Sequence, residues 1–578
     1  MPDDQDPPES FDEAAIVTAV AAGEFEGFVR RAHLALEQPE WEAFERLVAS
    51  LHRARKIDLL AAVTVRTEGK LPYVVENVLG TVFGDLDLTL EAILGAMPVL
   101  SARWRGEGAP YWLRNSFSAW CDQAPGRVDA ALAAIRSGEA PAELLMPTLL
   151  SGMRVAQPRY IDILAAMLAG PSLEEANTAA SVFGYAVAET PEARARIFAI
   201  LRQALDAADA ERIAELFRAL LALSLAVPGD EAVALAAIAS VKHRATPVVL
   251  TAAANSLAVH RATATRAAIE TICALLAEVG PDEVETLDAI DHLLFVLLAG
   301  ADADAALALL ERLLAEGRAT LDTLDTTAHQ IMTNNSGLRE RLIAAWLVND
   351  APGMVEAVHA LAMLVANDPP TFDLDFAPHA LSAEDAATAG RRAVAKLILF
   401  PETATSILVS LLRTGPPQAA PLIEEMLLDP LLLSYWETPR KYLETVAAKE
   451  GGEIAALIAR ALAALDAYVA TIEEAGVIAE LRPSERHRFI AAVQHAELQR
   501  EIAKGASKGA LASLFPVSVL LYGDSAVNDI FAADGSTSRS EFRLGTIEHS
   551  QEIARLDSVD PIGLWMQRIL FSMGKKRA

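Results

Sequence analysis

The sequence predicts an all-α protein: a right-handed α-solenoid of antiparallel helix hairpins with a small C-terminal β-containing module. Three observations carry this expectation. From Ser172 to about Asn349, apolar residues recur at three- and four-residue steps, the period of a helix buried on one face. First helices are expected to start near Ser172, Asp209, Thr246, Pro281 and Arg318, so that successive starts lie 37, 37, 35 and 37 residues apart. A steady step of about 36 residues is the mark of stacked helical hairpins. Beyond Phe515 the text changes to strand-like runs separated by turn residues.

The faces are concrete. After Asp209, the residues Ile213, Leu216, Phe217, Leu220 and Leu221 fall on one side of a helix. After Pro281, Val284, Leu287, Ile290, Leu293, Leu294 and Leu297 do the same. Second helices follow suit with Ile197, Ile200, Leu201 and Leu205, and with Leu307, Leu310, Leu313 and Leu314. Ala fills the other positions, which raises helix propensity and permits close approach. Ser172 with Glu175 reads as a capping box, and Thr190-Pro191 as an N-cap followed by an N1 proline. Step and face pattern together resemble the HEAT and armadillo-like solenoid superfamily over residues 40–480. The resemblance implies a curved surface for binding and carries no catalytic residue over to this chain. The Trp, Gly-Tyr and Pro signature of tetratricopeptide repeats is not found.

In chain order, residues 1–9 read as a disordered acidic tail, and Ser10 with Glu13 as the capping box of the first helix. Residues 10–366 form the N-terminal and central array, in which Gly80 and Gly84 share a face suited to a close helix crossing. Arg103-Trp104-Arg105 through Tyr111-Trp112 interrupts the pattern. Residues of these types dominate interface hot spots, so Arg103, Trp104, Tyr111 and Trp112 are candidate partner-binding residues. The alternative is a loop folded back on the array. Asn367 to Leu381, with two adjacent prolines and three aspartates, is expected to be an exposed loop that proteases cut early.

Ser382 with Asp385 restarts the helices, which continue over 382–514. The module spans 515–578, with strands at Val517–Tyr522 and Ser538–His549 and a last helix opened by Asp560-Pro561. Alternation places Arg539, Glu541 and Arg543 on one face of the second strand. Phe542, Leu544 and Thr546 take the other and are expected to pack on Ile562, Trp565 and Ile569. Arg539 and Arg543, with His549 and Arg555 nearby in sequence, are the module's candidate partner-binding residues.

The 578 residues carry a net charge of −29, and it is unevenly spread. From Arg482 onward there are 13 Lys/Arg and 11 Asp/Glu, so the first 481 residues carry −31. An acidic array repels phosphate backbones and attracts basic proteins, which argues against nucleic acid. Cys121 and Cys273 sit in apolar helical text and read as buried free thiols. The acidic N-terminus lacks a secretory pattern, and no uncharged run reaches the eighteen or so residues of a membrane span, so the expected location is cytoplasmic.

Catalytic patterns fail on context. Gly505-Ala-Ser507-Lys-Gly509 matches a nucleophile elbow but follows a helix rather than a strand. Glu356-x-x-His359 is half of a di-iron site without its second half. The expectation is a non-enzymatic scaffold or adaptor for a basic protein partner, with no cofactor. The alternative is an enzyme, or a regulatory subunit, with its site in the terminal module. The sequence fixes no oligomeric state.

Overall fold

Asp12 opens the first helix by accepting a hydrogen bond from the Ala15 amide at 3.0 Å. The expected Ser10 cap lies outside the described residues. In this computed structural model those are residues 11–65, 72–103, 111–227, 229–333, 337–364, 370–476, 484–490, 492–493, 496, 521–522, 525–531, 537–543 and 552–572. For residues 85, 111, 112 and those between 521 and 543, only the backbone is described. The chain divides into two compact units, Met1–Thr333 and Asn334–Ala578.

The first unit is built of helices α1 (Glu13–Ala21), α2 (Phe25–Ala35), α3 (Gln38–Arg53), α4 (Leu59–Thr64), α5 (Tyr73–Val82), α6 (Leu90–Arg103), α7 (Tyr111–Cys121), α8 (Pro125–Ser137), α9 (Leu145–Val155) and α10 (Gln157–Leu168). It continues with α11 (Leu173–Tyr185), α12 (Pro191–Ala207), α13 (Ile213–Leu225), α14 (Glu231–Val241), α15 (Pro247–His260), α16 (Arg266–Leu276), α17 (Val284–Leu298), α18 (Ala303–Ala315) and α19 (Asp325–Thr333). Two layers result. From α5 to α19 each odd-numbered helix packs on the next odd one, and α10, α12, α14, α16 and α18 form a second row. The expected first helices are α11, α13, α15, α17 and α19.

Ser172 and Thr190 cap α11 and α12 as expected, accepting from the amides of Glu175 and Ala193. In α13 the predicted face is buried, and so are Ala219, Ala222, Leu223, Ser224 and Leu225. This helix has neighbours on three sides, α11, α15, and α12 with α14, so one apolar stripe would not cover it. Gly84 does permit a close crossing, because a Cβ there would lie 3.0 Å from the Ala119 Cβ, whereas a Cβ at Gly80 would meet nothing within 4 Å.

The second unit contains α20 (Leu338–Val348), α21 (Pro352–Met363), α22 (Ala383–Leu397), α23 (Pro401–Thr414), α24 (Ala420–Met426), α25 (Thr438–Lys449), α26 (Gly452–Ala475), α27 (Arg555–Val559) and α28 (Pro561–Ser572). The Ser382–Asp385 capping box forms with both of its hydrogen bonds. Helix α22 is the hub, touching α20, α21, α23, α24 and α28. Backbone segments β1 (Leu521–Tyr522), β2 (Ser525–Phe531) and β3 (Thr537–Arg543) pair antiparallel in the order β1-β2-β3. Helix α26 is long and apolar enough to cross a membrane by length and composition. Its Arg460 and Asp466 are nonetheless ion-paired to Glu424 and Arg440 of neighbouring helices.

The segment Asn367–Leu381 corrects the expectation of an open loop. Among its described residues, Phe372, Leu374 and Phe376 are buried and Asp373 and Asp375 are exposed, a strand-like alternation. Among the described residues no strand lies beside it. Instead the amides of Phe372, Leu374 and Phe376 donate to the hydroxyls of Ser406, Ser410 and Thr414 on α23, at 2.9, 3.0 and 3.0 Å. The fit has a metric reason. Two extended residues advance about 6.6 Å and four helical residues about 6 Å, so every second amide meets a hydroxyl one helical turn further on.

Ser410→Ala would leave the buried Leu374 amide without its acceptor and should cost about 1–3 kcal/mol. Chemical denaturation followed by circular dichroism measures this loss. Limited proteolysis should spare residues 370–376 in the wild type and cut there first in the variant. Early cleavage of the wild-type segment would contradict the packing described.

Candidate interaction surface

In each unit, basic residues are largely committed to holding the fold. Arg212, in the turn before α13, donates to the carbonyls of Leu168 and Gly170 at the end of α10. Arg244, before α15, donates to Leu205 and Ala208 at the end of α12. Arg318, after α18, donates to Glu278 and Val279 just beyond α16. Arg392 of the second unit does the same for Leu347 and Asn349 at the end of α20. Each reaches back between 36 and 45 residues, about one repeat. A guanidinium at a helix C-terminus satisfies free carbonyls and faces the negative end of the helix dipole. Sequence reading followed the apolar faces and missed these clasps, although basic residues at the turns were the signal for Arg212, Arg244 and Arg318; Arg392 lies within α22.

Ion pairs add further ties at a similar separation. Arg154 pairs with Asp122, Arg159 with Asp129, Arg196 with Asp162, and Arg312 with Glu278. The second unit has Lys396 with Glu356, Arg413 with Glu450, and Arg460 with Glu424. Some acids are structural too. Asp291 is buried and accepts from the amides of Thr326 and Thr327 at 3.0 and 2.8 Å, capping α19 from the neighbouring α17. Asp282, Glu285 and Asp288, by contrast, are exposed and make no ion pair among the described residues.

The sequence candidates fall into three groups. Arg103 is buried, holding both oxygens of Glu26 at 2.5 and 2.9 Å and the Val63 carbonyl at 2.8 Å, so it fastens α6 to α2 and α4. Arg555 lies with its guanidinium 4.1 Å from the centre of the Trp436 ring and 6.0 Å from that of Tyr468, packed inside its own unit. The backbone of Arg539 lies opposite Asp529 and that of Arg543 opposite Ser525. Tyr111 and Trp112 begin α7. Trp104, His549 and Ser507 lie outside the described residues. The closing helix corrects another expectation. Ile562 and Trp565 are exposed, and Leu564 is the side chain it buries.

Reactive groups are quiet where they are described. Burial pushes the Cys121 and Cys273 thiols up to about 12, which keeps both in the unreactive thiol form. Burial, then the hydrogen bond to Asp129, raises the Tyr160 phenol above its ordinary value. Glu356 accepts from Lys396 Nζ at 2.6 Å, and His359 Nδ1 lies 2.8 Å from the Lys396 carbonyl, so both are occupied by one residue of α22.

No family model and no curated protein matches the chain. Among known structures, a homology model of the full-length AP-3 complex in an intermediate open conformation is similar at 11% sequence identity and a TM-score of 0.21, over 79% of this chain and 92% of that one.

Proposed function

We propose that the chain is a non-enzymatic helical-repeat scaffold or adaptor, a right-handed solenoid of cytoplasmic location. It binds a basic protein partner through a concave acidic surface. One observation supports the reading: many arginines of the array are engaged on helix-end carbonyls or in ion pairs, while the −31 of residues 1–481 leaves carboxylates such as Asp282, Glu285 and Asp288 facing water. Such a surface steers cationic partners and repels anionic ones. The C-terminal β-containing module, with Arg539, Arg543 and His549, offers a second contact, and Trp104, Tyr111 and Trp112 a third.

Affinity capture with the full-length chain from its native cell, followed by binding measurements on the recovered partner, tests this. The partner should be basic, and its affinity should fall steeply as salt is raised. Glu285→Gln with Asp288→Asn should weaken it about threefold or more at low salt. Arg539→Ala with Arg543→Ala tests the module, where weaker binding at an unchanged melting temperature supports a contact. Recovery of nucleic acid alone, or of a partner indifferent to salt and to both variants, would overturn the proposal.

A further inference from the structure

A groove of about 700 Å³ opens between α4 and α6. Its titratable lining residues, His52, Arg53, Arg55, Lys56, Asp58 and Asp87, all stand before the two helices begin. Along the helices the lining is Leu60, Thr64, Ala92, Gly95, Ala96 and Val99, without a charge. The groove thus has a charged part and an uncharged part. Gly95 sits inside α6, where glycine weakens a helix. A Cβ there would meet nothing within 4 Å, so no packing within the chain calls for glycine. What the missing side chain does is keep the uncharged part open.

In the charged part, all charges but two are matched. Lys56 pairs with Glu13, Asp87 faces Arg127 at 3.7 Å, and Asp58 caps α4 by accepting from the Ala61 amide at 3.1 Å. His52 Nδ1 accepts from the Leu59 amide at 3.1 Å. Burial holds its pKa below the ordinary value, against Asp58, the Ile57 carbonyl and Asp87, so it adds little charge near neutral pH. Glu91, exposed in the first turn of α6, does not line the groove. Arg53 and Arg55 are exposed and make no ion pair among the described residues. Arg55 also has a φ of +56°, just past the end of α3, in the left-handed region that glycine enters most easily. A long cationic side chain kept at a position that favours glycine points to a use for that side chain.

We propose that this groove binds a small phosphate monoester with an apolar body, a ligand independent of the basic protein partner of the acidic surface. The phosphate meets Arg53 and Arg55, and the body lies along Ala92, Gly95 and Val99. Near pH 7 a phosphate monoester carries about −1.5 to −2, so two unmatched guanidinium groups suit it better than they suit a carboxylate. The volume lies within the range of small-molecule sites, about 300–1,000 Å³. Only an amphiphilic anion satisfies both parts at once. Free phosphate would leave the uncharged part to water, and a neutral apolar molecule would leave both arginines unmatched.

Calorimetric titration of the full-length protein tests the inference, with 1-naphthyl phosphate as the probe and inorganic phosphate, 1-naphthol and 1-naphthoate as its comparators. The probe should bind about tenfold or more tighter than inorganic phosphate or 1-naphthol, and about threefold or more tighter than 1-naphthoate. Arg53→Ala with Arg55→Gly should weaken it about tenfold without lowering the melting temperature, because glycine is at ease where Arg55 stands. Gly95→Leu should fill the uncharged part and weaken the probe about fivefold or more, while inorganic phosphate is unaffected and the helix is no less stable. Equal affinity of wild type and both variants would overturn the proposal. So would failure of the wild type to bind the probe at about 1 mM, the weak end of specific small-molecule binding. If 1-naphthoate binds as tightly as the probe, the assignment of phosphate falls.

Discussion

Leu220→Asp is expected to destabilise the first unit by about 4–5 kcal/mol or more, the range reached when an unpaired charge is forced into an apolar interior. Leu220 is 1% exposed in α13, the helix with neighbours on three sides, so no rotamer can carry the carboxylate to water. Leu220→Met, which keeps volume and polarity, should cost less than about 1.5 kcal/mol. Guanidinium denaturation followed by helical circular dichroism measures both. A Leu220→Asp variant within about 0.5 kcal/mol of wild type would mean that the seam between α11 and α15 is not packed as described.

Arg103→Ala is the second large effect, at about 3–5 kcal/mol. Most of that figure is the cost of leaving Glu26, itself buried, with its charge uncompensated. The double variant Arg103→Met with Glu26→Leu should therefore recover much of the loss, since an apolar pair of similar size removes both desolvation penalties. The same denaturation experiment reads all three proteins. If the double variant is as unstable as Arg103→Ala, the deficit comes from the lost bond to the Val63 carbonyl rather than from the orphaned carboxylate.

These two residues mark what was legible in the sequence. Leu220 belongs to a periodic face, and local period alone put it in the core. Arg103 was read as a candidate for a partner because its neighbours include Trp104 and Arg105, and nothing local names Glu26, 77 residues earlier, as its counterion. Segment 370–376 shows the same division. Two prolines and a run of aspartates suggest an open loop, while the hydroxyls that receive its amides stand 34 to 38 residues later on α23. Arg555 and Trp436 are farther apart still, 119 positions, which is why a residue assigned to a partner is stacked inside its own unit. The last helix was placed correctly from Asp560-Pro561, and the Asp560 side chain does accept from the Gly563 amide. Which side of that helix would meet the protein depended on α22, and the sequence holds no local sign of it.

The arginine clasps have a consequence for how the first unit comes apart. Each joins one helix end to the turn about a repeat away, so over α10–α19 the clasps contribute terms between adjacent repeats. A chain coupled in this way need not melt all at once. It can lose repeats from an end and keep the rest, as a zipper opens tooth by tooth, and the teeth need not be equal. Arg212 and Arg244 close the steps after α10 and α12, and Arg318 closes the step after α16. The turn after α16, Gly280-Pro281-Asp282, holds no arginine to reach back to α14. That step is tied instead by Thr286 of α17, whose hydroxyl donates to the Pro247 carbonyl at the start of α15 at 3.1 Å, so the teeth of the zipper differ in chemistry from one repeat to the next.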